Sequence, residues 1–165
     1  MKLAWFALLA ALCAAPLSFA QKLDLKFDAL AARASEKVEL DLDADLLRLI
    51  LKMGDEREHH EWLEGVRAVK IRTYTFDTRA MYSDKDLDAL RSQVSAQGRW
   101  SRVLTHKTDG ESTEIWVAAD GDKLGACLIV VAEERELAVV YLEGTLTLAQ
   151  VKGMMEHHDW RGFGQ

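Results

Sequence analysis

The 165-residue chain has little proline and little cysteine. Its single proline, Pro16, lies within the first twenty residues, so no proline interrupts a helix or strand after them. Its two cysteines are Cys13 and Cys127, and removal of the first twenty residues would leave Cys127 alone. One cysteine cannot form an intrachain disulfide, and the apolar neighbours of Cys127 predict a buried, unreactive thiol.

An excess of basic residues is also missing, since 21 Lys and Arg stand against 27 Asp and Glu, for a formal net charge of −6. Nucleic-acid binding relies on clustered Lys and Arg, so we expect no nucleic-acid partner. The sequence has neither a Gly-x-Ser-x-Gly nucleophile elbow nor a glycine-rich phosphate loop. We therefore predict no catalytic residue and no cofactor.

The N-terminus has the layout of a secretory signal peptide. Lys2 gives a positive start, residues 3–12 form an apolar run, and residues 18–20 form a small-x-small cleavage site. We expect cleavage after Ala20 and a periplasmic or secreted protein. Leu12 stands where a lipoprotein signal needs a small residue before Cys13, so we expect no lipid anchor. The apolar run is shorter than the roughly 20 residues that span a bilayer, and we expect no transmembrane segment in the mature chain.

Residues 112–146 carry the strongest strand pattern of the chain. Asp120-Gly121 separates two β-prone runs, and glycine supplies the positive φ of a tight hairpin turn. Residues 124–131 are apolar on both alternating sets, which is typical of a strand covered on both faces. This pattern predicts a central strand in a sheet.

The other residues alternate between helical and strand patterns. Helices are predicted over about 27–35, 44–53, 55–65 and 83–98 and from Thr147 onward, with further strands over 38–42 and 66–76 and from Trp100. Asp43 is predicted to cap the second of these helices, and Ser83 with Asp86 the fourth. The predicted fold is α+β: an antiparallel, meander-rich sheet of about five strands with helices mainly on one face, as a two-layer sandwich. One domain is expected over residues 21–155, followed by a mobile tail at 156–165.

Four of the five histidines fall in two similar pentads, Glu-His-His-Glu-Trp at 58–62 and Glu-His-His-Asp-Trp at 156–160. Imidazoles and carboxylates bind zinc, copper and nickel. Adjacent helical residues diverge by about 100°, so neighbouring histidines cannot share a metal as an i, i+4 pair does. A site would need one histidine from each pentad, and we expect two solvated polar segments instead. The weak candidate ligands are His59, His60, His157 and His158.

Asp41, Asp43 and Asp45 have the spacing of a calcium loop. Leu46 stands at the sixth position, where the loop needs glycine, and Lys52 at the twelfth, where it needs glutamate. Helix capping explains these aspartates better.

Two surfaces are candidates for partner contact. The first is the predicted helix 44–53, which is apolar nearly all round and carries Leu46, Leu47, Leu49 and Ile50. The second is a basic-aromatic patch on the strand 66–76, formed by Lys70, Arg72 and Tyr74. Arg99 and Arg102 would lie near this patch if their strands were neighbours. The alternative for the patch is a solvated sheet face with cross-strand pairs to Glu111 or Glu114.

The chain resembles a known bacterial family. The resemblance rests on VRAVKIRTYTF at 66–76, SDKDLDALRSQV at 83–94, the strand start at Trp100 and LIVVAEERELAVVYLEG at 128–144. It extends from about Leu25 to Met155, and the family is the domain-of-unknown-function family 4252. The resemblance implies an exported envelope domain without an assigned activity or catalytic residue, and some members carry a lipoprotein leader.

The sequence therefore favours an exported envelope domain that acts as a non-enzymatic binding or accessory protein, with a link to envelope signalling as one role. Its partner would be an envelope protein of unknown identity, and its oligomeric state stays open. Two alternatives stand beside this hypothesis. One is a small metal-dependent enzyme or metal-binding protein that uses the histidine pentads. The other is a carrier of an apolar ligand held between sheet and helices.

Overall fold

A computed structural model describes residues 23–53, 65–78 and 82–151. The predicted signal peptide, the predicted C-terminal tail and the predicted helix 55–65, apart from Gly65, lie outside these residues. The described elements are α1 (Asp28–Ala31), β1 (Glu36–Asp43), α2 (Ala44–Met53), β2 (Val66–Thr75), α3 (Asp84–Ala96), β3 (Trp100–Thr108), β4 (Glu111–Asp120), β5 (Lys123–Glu133) and β6 (Glu136–Leu146). Residues 148–151 begin a further helix.

The strands form one antiparallel sheet in the order β1-β2-β6-β5-β4-β3. This confirms the predicted α+β class and antiparallel pairing. The described sheet has six strands instead of about five. β1, predicted over 38–42, is a full eight-residue strand that pairs with β2 along its whole length. β5 lies in the interior between β6 and β4, as its apolar pattern predicted.

A tight turn and a close approach of two backbones each require a glycine in the sheet. Asp120 pairs with Lys123 across a two-residue turn, in which Gly121 takes the positive φ of 64° that the sequence predicted. Gly144 of β6 meets the start of β2, where a Cβ would lie 2.2 Å from the carbonyl oxygen of Gly65. Only glycine fits at such a close approach of two backbones.

The first core cluster lies between one face of the sheet and the helices α1 and α3. α3 contributes Leu87, Leu90 and Val94, and α1 contributes Leu30. The largest sheet residues in this cluster are Tyr74, Phe76, Trp100, Trp116, Leu128, Leu137 and Tyr141. Tyr74 and Phe76 are almost fully buried, so the end of β2 is anchored under the helices.

The second core cluster lies on the opposite face, where α2 packs through Leu47, so the sheet carries a helix on each side instead of helices mainly on one face in a two-layer sandwich, as was predicted. There Leu47 of α2 packs with the inward residues of the sheet and with Val151. The inward residues are Val69, Ile115, Val117, Cys127, Ile129, Val140, Leu142 and Leu146. Coverage on both faces explains why β5 is apolar on both alternating sets.

The helix ends follow their capping residues. Asp43 Oδ1 accepts hydrogen bonds from the backbone N–H groups of Asp45 and Leu46, both at 3.0 Å, and so caps α2 as predicted. Ser83 and Asp86 form the predicted capping box of α3. α1 is shorter than the predicted helix 27–35, because Ser35 donates its backbone N–H to Thr75 at 2.8 Å and so leads into β1.

Candidate functional site

Among the described residues, Glu114 on β4 is the charged residue with a buried side chain, at 4% relative exposure. Arg91 of α3 donates to Glu114 Oε1 from Nε at 2.8 Å and from Nη2 at 2.5 Å. The indole N–H of Trp116 donates to Oε2 at 3.2 Å. Arg102 of β3 places Nη1 3.5 Å from Oε2 and its guanidinium 5.3 Å from the centre of the Trp116 ring. We call these four residues the Glu114 cluster.

The strand register brings the Glu114 cluster together. Glu114 and Trp116 are two apart on β4 and therefore point to the same face, toward α3. Arg102 pairs directly with Trp116 across the β3–β4 ladder. α3 lies over this face and supplies Arg91, which also bonds Asp88 one turn earlier at 2.6 Å.

The electrostatics of the cluster favour an ionised Glu114 carboxylate near neutral pH. Burial alone would raise the pKa of Glu114, but the hydrogen bonds and charge of Arg91, the Trp116 indole and nearby Arg102 outweigh it. The pKa of Glu114 therefore lies below its ordinary value. The adjoining void, lined in part by Arg91 and Glu114, measures about 10 Å³, which is room for about one water. The cluster is suited to fastening α3 to the sheet.

Cys127 on β5 is fully buried in the second core cluster. Burial raises the pKa of its thiol to about 12, so the thiolate is strongly disfavoured. This position agrees with the sequence-based expectation of a buried, inert thiol.

The basic-aromatic patch lies on the sheet face that packs α1. Lys70, Arg72 and Tyr74 alternate on β2 and share this face. Arg72 places Nη2 2.7 Å from the Asp41 carboxylate and donates from Nη1 to the Leu40 carbonyl at 3.2 Å. Arg72 is thus held against the edge strand β1. Lys70 has no ion-pair partner within the described ranges.

Two expectations about the patch are wrong. Arg99 and Arg102 are not beside it, because β6, β5 and β4 separate β2 from β3. Its acidic neighbour across the strand is also neither Glu111 nor Glu114. That neighbour is Asp41, because β1 is the strand that pairs with the outer side of β2.

Among the described side chains of the predicted contact helix, α2, one leucine is buried and three large aliphatic side chains are half-exposed. Leu47 is 5% exposed and faces the second core cluster. Leu46, Leu49 and Ile50 are 44%, 53% and 48% exposed. Their i, i+3, i+4 spacing places these three on one side of the helix. We call this side the outer face of α2.

The three aspartates near α2 all have protein partners. Asp41 binds Arg72, Asp43 caps α2, and Asp45 Oδ1 lies 3.3 Å from the Arg48 guanidinium. Capping by Asp43 confirms the structural explanation that was preferred over a calcium loop.

The histidine pentads, with His59, His60, His157 and His158, lie outside the described residues. In the ranges that the structure describes, no three His, Cys, Asp or Glu side chains form a group able to hold a metal ion. Over the same ranges, no helix is long and apolar enough to cross a membrane.

Sequence reasoning missed the Glu114 cluster. The available signal was the alternation on β4, where Glu114 shares a face with Trp116 and is followed by an apolar run. Glu111 and Glu114 are the cross-strand partners that the sequence suggests for the basic-aromatic patch if the patch is a solvated sheet face. The helix that contributes Arg91 to the Glu114 cluster is remote in sequence, so the ion pair had no local signature.

Of three comparisons with known proteins, the one with protein families gives a match. No curated protein and no solved structure matches it. The family model described as a domain of unknown function, DUF4252, matches residues 33–154, which include every described strand and the helices α2 and α3. The chain therefore belongs to the domain-of-unknown-function family DUF4252.

Proposed function

We propose that this protein is an exported, non-enzymatic binding domain of the bacterial envelope, which docks another protein through the outer face of α2. The observation that carries the proposal is the half-exposure of Leu46, Leu49 and Ile50 on a helix that already packs through Leu47. Apolar side chains at i, i+3 and i+4 form the side through which an amphipathic helix packs against a partner helix.

Burial of the exposed apolar area on α2 would contribute a substantial free energy to binding. Full burial of a leucine or isoleucine side chain is worth about 1.5–3 kcal/mol, so covering the remaining half of each contributes about 1 kcal/mol. Three such side chains supply about 3 kcal/mol before the entropic cost of association. This suits the centre of a modest, regulated contact with a polar rim.

The occupant that fits best is an amphipathic helix with basic residues beside its apolar side. Asp43 and Asp45 are both exposed at the start of α2. The whole chain carries a formal net charge of −6, so its field attracts a basic partner.

Export and the lack of catalysis are parts of the same proposal. Export is supported by the signal-like pattern of residues 1–20. A non-enzymatic role is supported by the state of two groups that otherwise suit catalysis. Glu114 is saturated by donors, and Cys127 is protonated and buried.

Site-specific photo-crosslinking in cells tests the docking surface. A photoreactive residue replaces Leu49 in one variant and Val103 in another. Val103 lies on β3 at the far edge of the sheet, and its 52% exposure matches the 53% of Leu49. We expect one envelope protein to be captured from position 49 and not from position 103.

The captured protein then supplies a helix for affinity measurement. We expect Leu49→Asp to weaken binding of that helix about tenfold or more, and Val103→Asp to leave it unchanged. Equal capture from both positions contradicts the proposal. Capture of only a second copy of this chain, or of lipid, also contradicts it, because the surface would then serve self-association or membrane contact.

A further inference from the structure

A cleft of about 160 Å³ lies between residues 23–27 and the strands β2 and β6, on the face that packs α1. Its principal lining residues are Leu23, Phe27, Lys70, Arg72, Val139 and Tyr141. The cleft is remote in sequence from α2, and the Glu114 cluster contributes no residue to it. It combines an apolar floor with two cationic side chains and one acidic side chain, Asp24.

The outer wall of the cleft is held in place by two glutamines of α3. Gln97 accepts from the backbone N–H of Asp24 at 3.0 Å and donates to the Asp24 carbonyl at 2.8 Å. Gln93 makes the same pair of bonds with Lys26, at 2.7 Å and 3.2 Å. The side-chain amides thus pair with this segment as a neighbouring strand would. These hydrogen bonds to α3 therefore fix the position of the segment that forms the wall.

The floor of the cleft is aromatic and uncharged. Phe27 packs on Tyr74 with ring centres 5.7 Å apart. The Tyr141 hydroxyl is hydrogen-bonded to the backbone of Leu23 and donates to Glu143 at 3.3 Å. Burial, reinforced by the charge of Glu143, raises the pKa of Tyr141 to about 12, so this hydroxyl stays neutral.

Lys70 is the charged group of the cleft whose charge is not neutralised within the described residues. The other cation, Arg72, is bound to Asp41 at 2.7 Å, and the acidic Asp24 is bound to Lys26 at 2.9 Å. Across the ladders Lys70 faces Asp41 on one side and Tyr141 on the other. The side chain of a half-buried lysine beside a neutral aromatic surface offers a binding group for an anion.

We infer that the cleft binds a small amphiphilic monocarboxylate, with the carboxylate on Lys70 and the apolar body against Phe27, Val139 and Tyr141. The volume of the cleft limits the size of the ligand. Pockets for drug-sized molecules measure about 300–1,000 Å³, so a cleft of about 160 Å³ accepts a body no larger than one aromatic ring or a short alkyl chain. Lys70 has no ion-pair partner among the described residues, and its single positive charge favours a ligand with one negative charge.

Titration of the full chain with sodium benzoate and with sodium hexanoate, followed by amide chemical shifts, tests the inference. We expect saturable shifts at Phe27 and Tyr141 with a Kd of about 1 mM or tighter for at least one acid. Benzamide has the shape of benzoate without its charge, and we expect it to bind about tenfold more weakly or worse. This comparison uses the unaltered protein and does not depend on any variant folding.

Lys70→Met keeps the aliphatic stem and removes the charge. We expect it to weaken the acid about tenfold to a hundredfold, because a hydrogen bond to a charged group is lost. Lys107→Met, on exposed β3, removes the same charge elsewhere and is expected to bind as the unaltered chain does. Absence of saturable shifts in the cleft up to about 20 mM of either acid overturns the inference. Equal binding by the two lysine variants, or by benzamide and benzoate, overturns it too.

Discussion

Replacing Arg91 by methionine measures what the Glu114 cluster contributes to stability. The change removes both donors to Glu114 Oε1 and keeps much of the aliphatic stem. Breaking a buried ion pair costs about 3–5 kcal/mol when the remaining charge has no other partner. Trp116 and Arg102 still hold Oε2, at 3.2 Å and 3.5 Å. We therefore expect the free energy of unfolding to fall by about 2–3 kcal/mol near pH 7.

The Glu114 cluster is also expected to make the free energy of unfolding depend on pH, with a loss of stability in acid. The folded-state pKa of Glu114 lies below the ordinary value of 4.5 that it regains on unfolding. Its stabilisation is therefore complete above that ordinary value and is lost as the pH falls through the lower folded pKa. Arg91→Met moves the folded pKa back upward. The stability difference between Arg91→Met and the unaltered chain is thus expected to shrink in acid.

Urea denaturation near pH 7 and near pH 3.5 is the assay. Asp88→Asn is the matched control, because it removes the other ion pair of Arg91 at a side chain that is 68% exposed, and we expect little change in stability. The reasoning is refuted if Arg91→Met is no less stable than Asp88→Asn near neutral pH. It is also refuted if the loss caused by Arg91→Met is the same at both pH values.

Three further outcomes follow from backbone contact, thiol burial and helix packing. Gly144→Ala is expected to lower the free energy of unfolding, measured by urea denaturation, by about 2–3 kcal/mol, because the added Cβ would lie 2.2 Å from a backbone oxygen. Gly125→Ala is the comparison and is expected to lower it less, because its Cβ would lie 3.1 Å from a side-chain carbon. Cys127 is expected to resist iodoacetamide in the folded protein at mildly alkaline pH and to react after unfolding, and labelling of the folded protein would contradict its pKa of about 12. Leu47→Ala is expected to lower the free energy of unfolding by about 2–4 kcal/mol and Leu49→Ala by less than about 1 kcal/mol, and equal losses would contradict the assigned orientation of α2.

The sequence predicted the features that depend on local chemistry. The α2 cap at Asp43 and the capping box of Ser83 and Asp86 lie within four residues of the groups they bond. The turn at Gly121 follows from its backbone requirement. The central place of β5 follows from its apolar pattern, because burial on both faces acts on every residue of the strand.

The features that were missed depend on which strands become neighbours. α3 carries the chain across the sheet, so β3 pairs beyond β4 at the far edge from β2. No local pattern encodes that crossing, and it leaves β6 as the inner neighbour of β2, so that Lys70 meets Tyr141. The end of α1 likewise depends on a hydrogen bond to Thr75, a residue 40 positions later.

The strand order also leaves β1 and β3 as the two edges of the described sheet, and most of their residues are exposed. An exposed edge offers backbone groups to strands of other molecules and so invites aggregation. Here β1 presents Glu39, Asp41 and Asp43, which repel a second acidic edge. β3 is interrupted by a bulge between Arg102 and Leu104, which spoils the register that an added strand needs. We therefore expect this open sheet to resist edge-to-edge growth into fibrils.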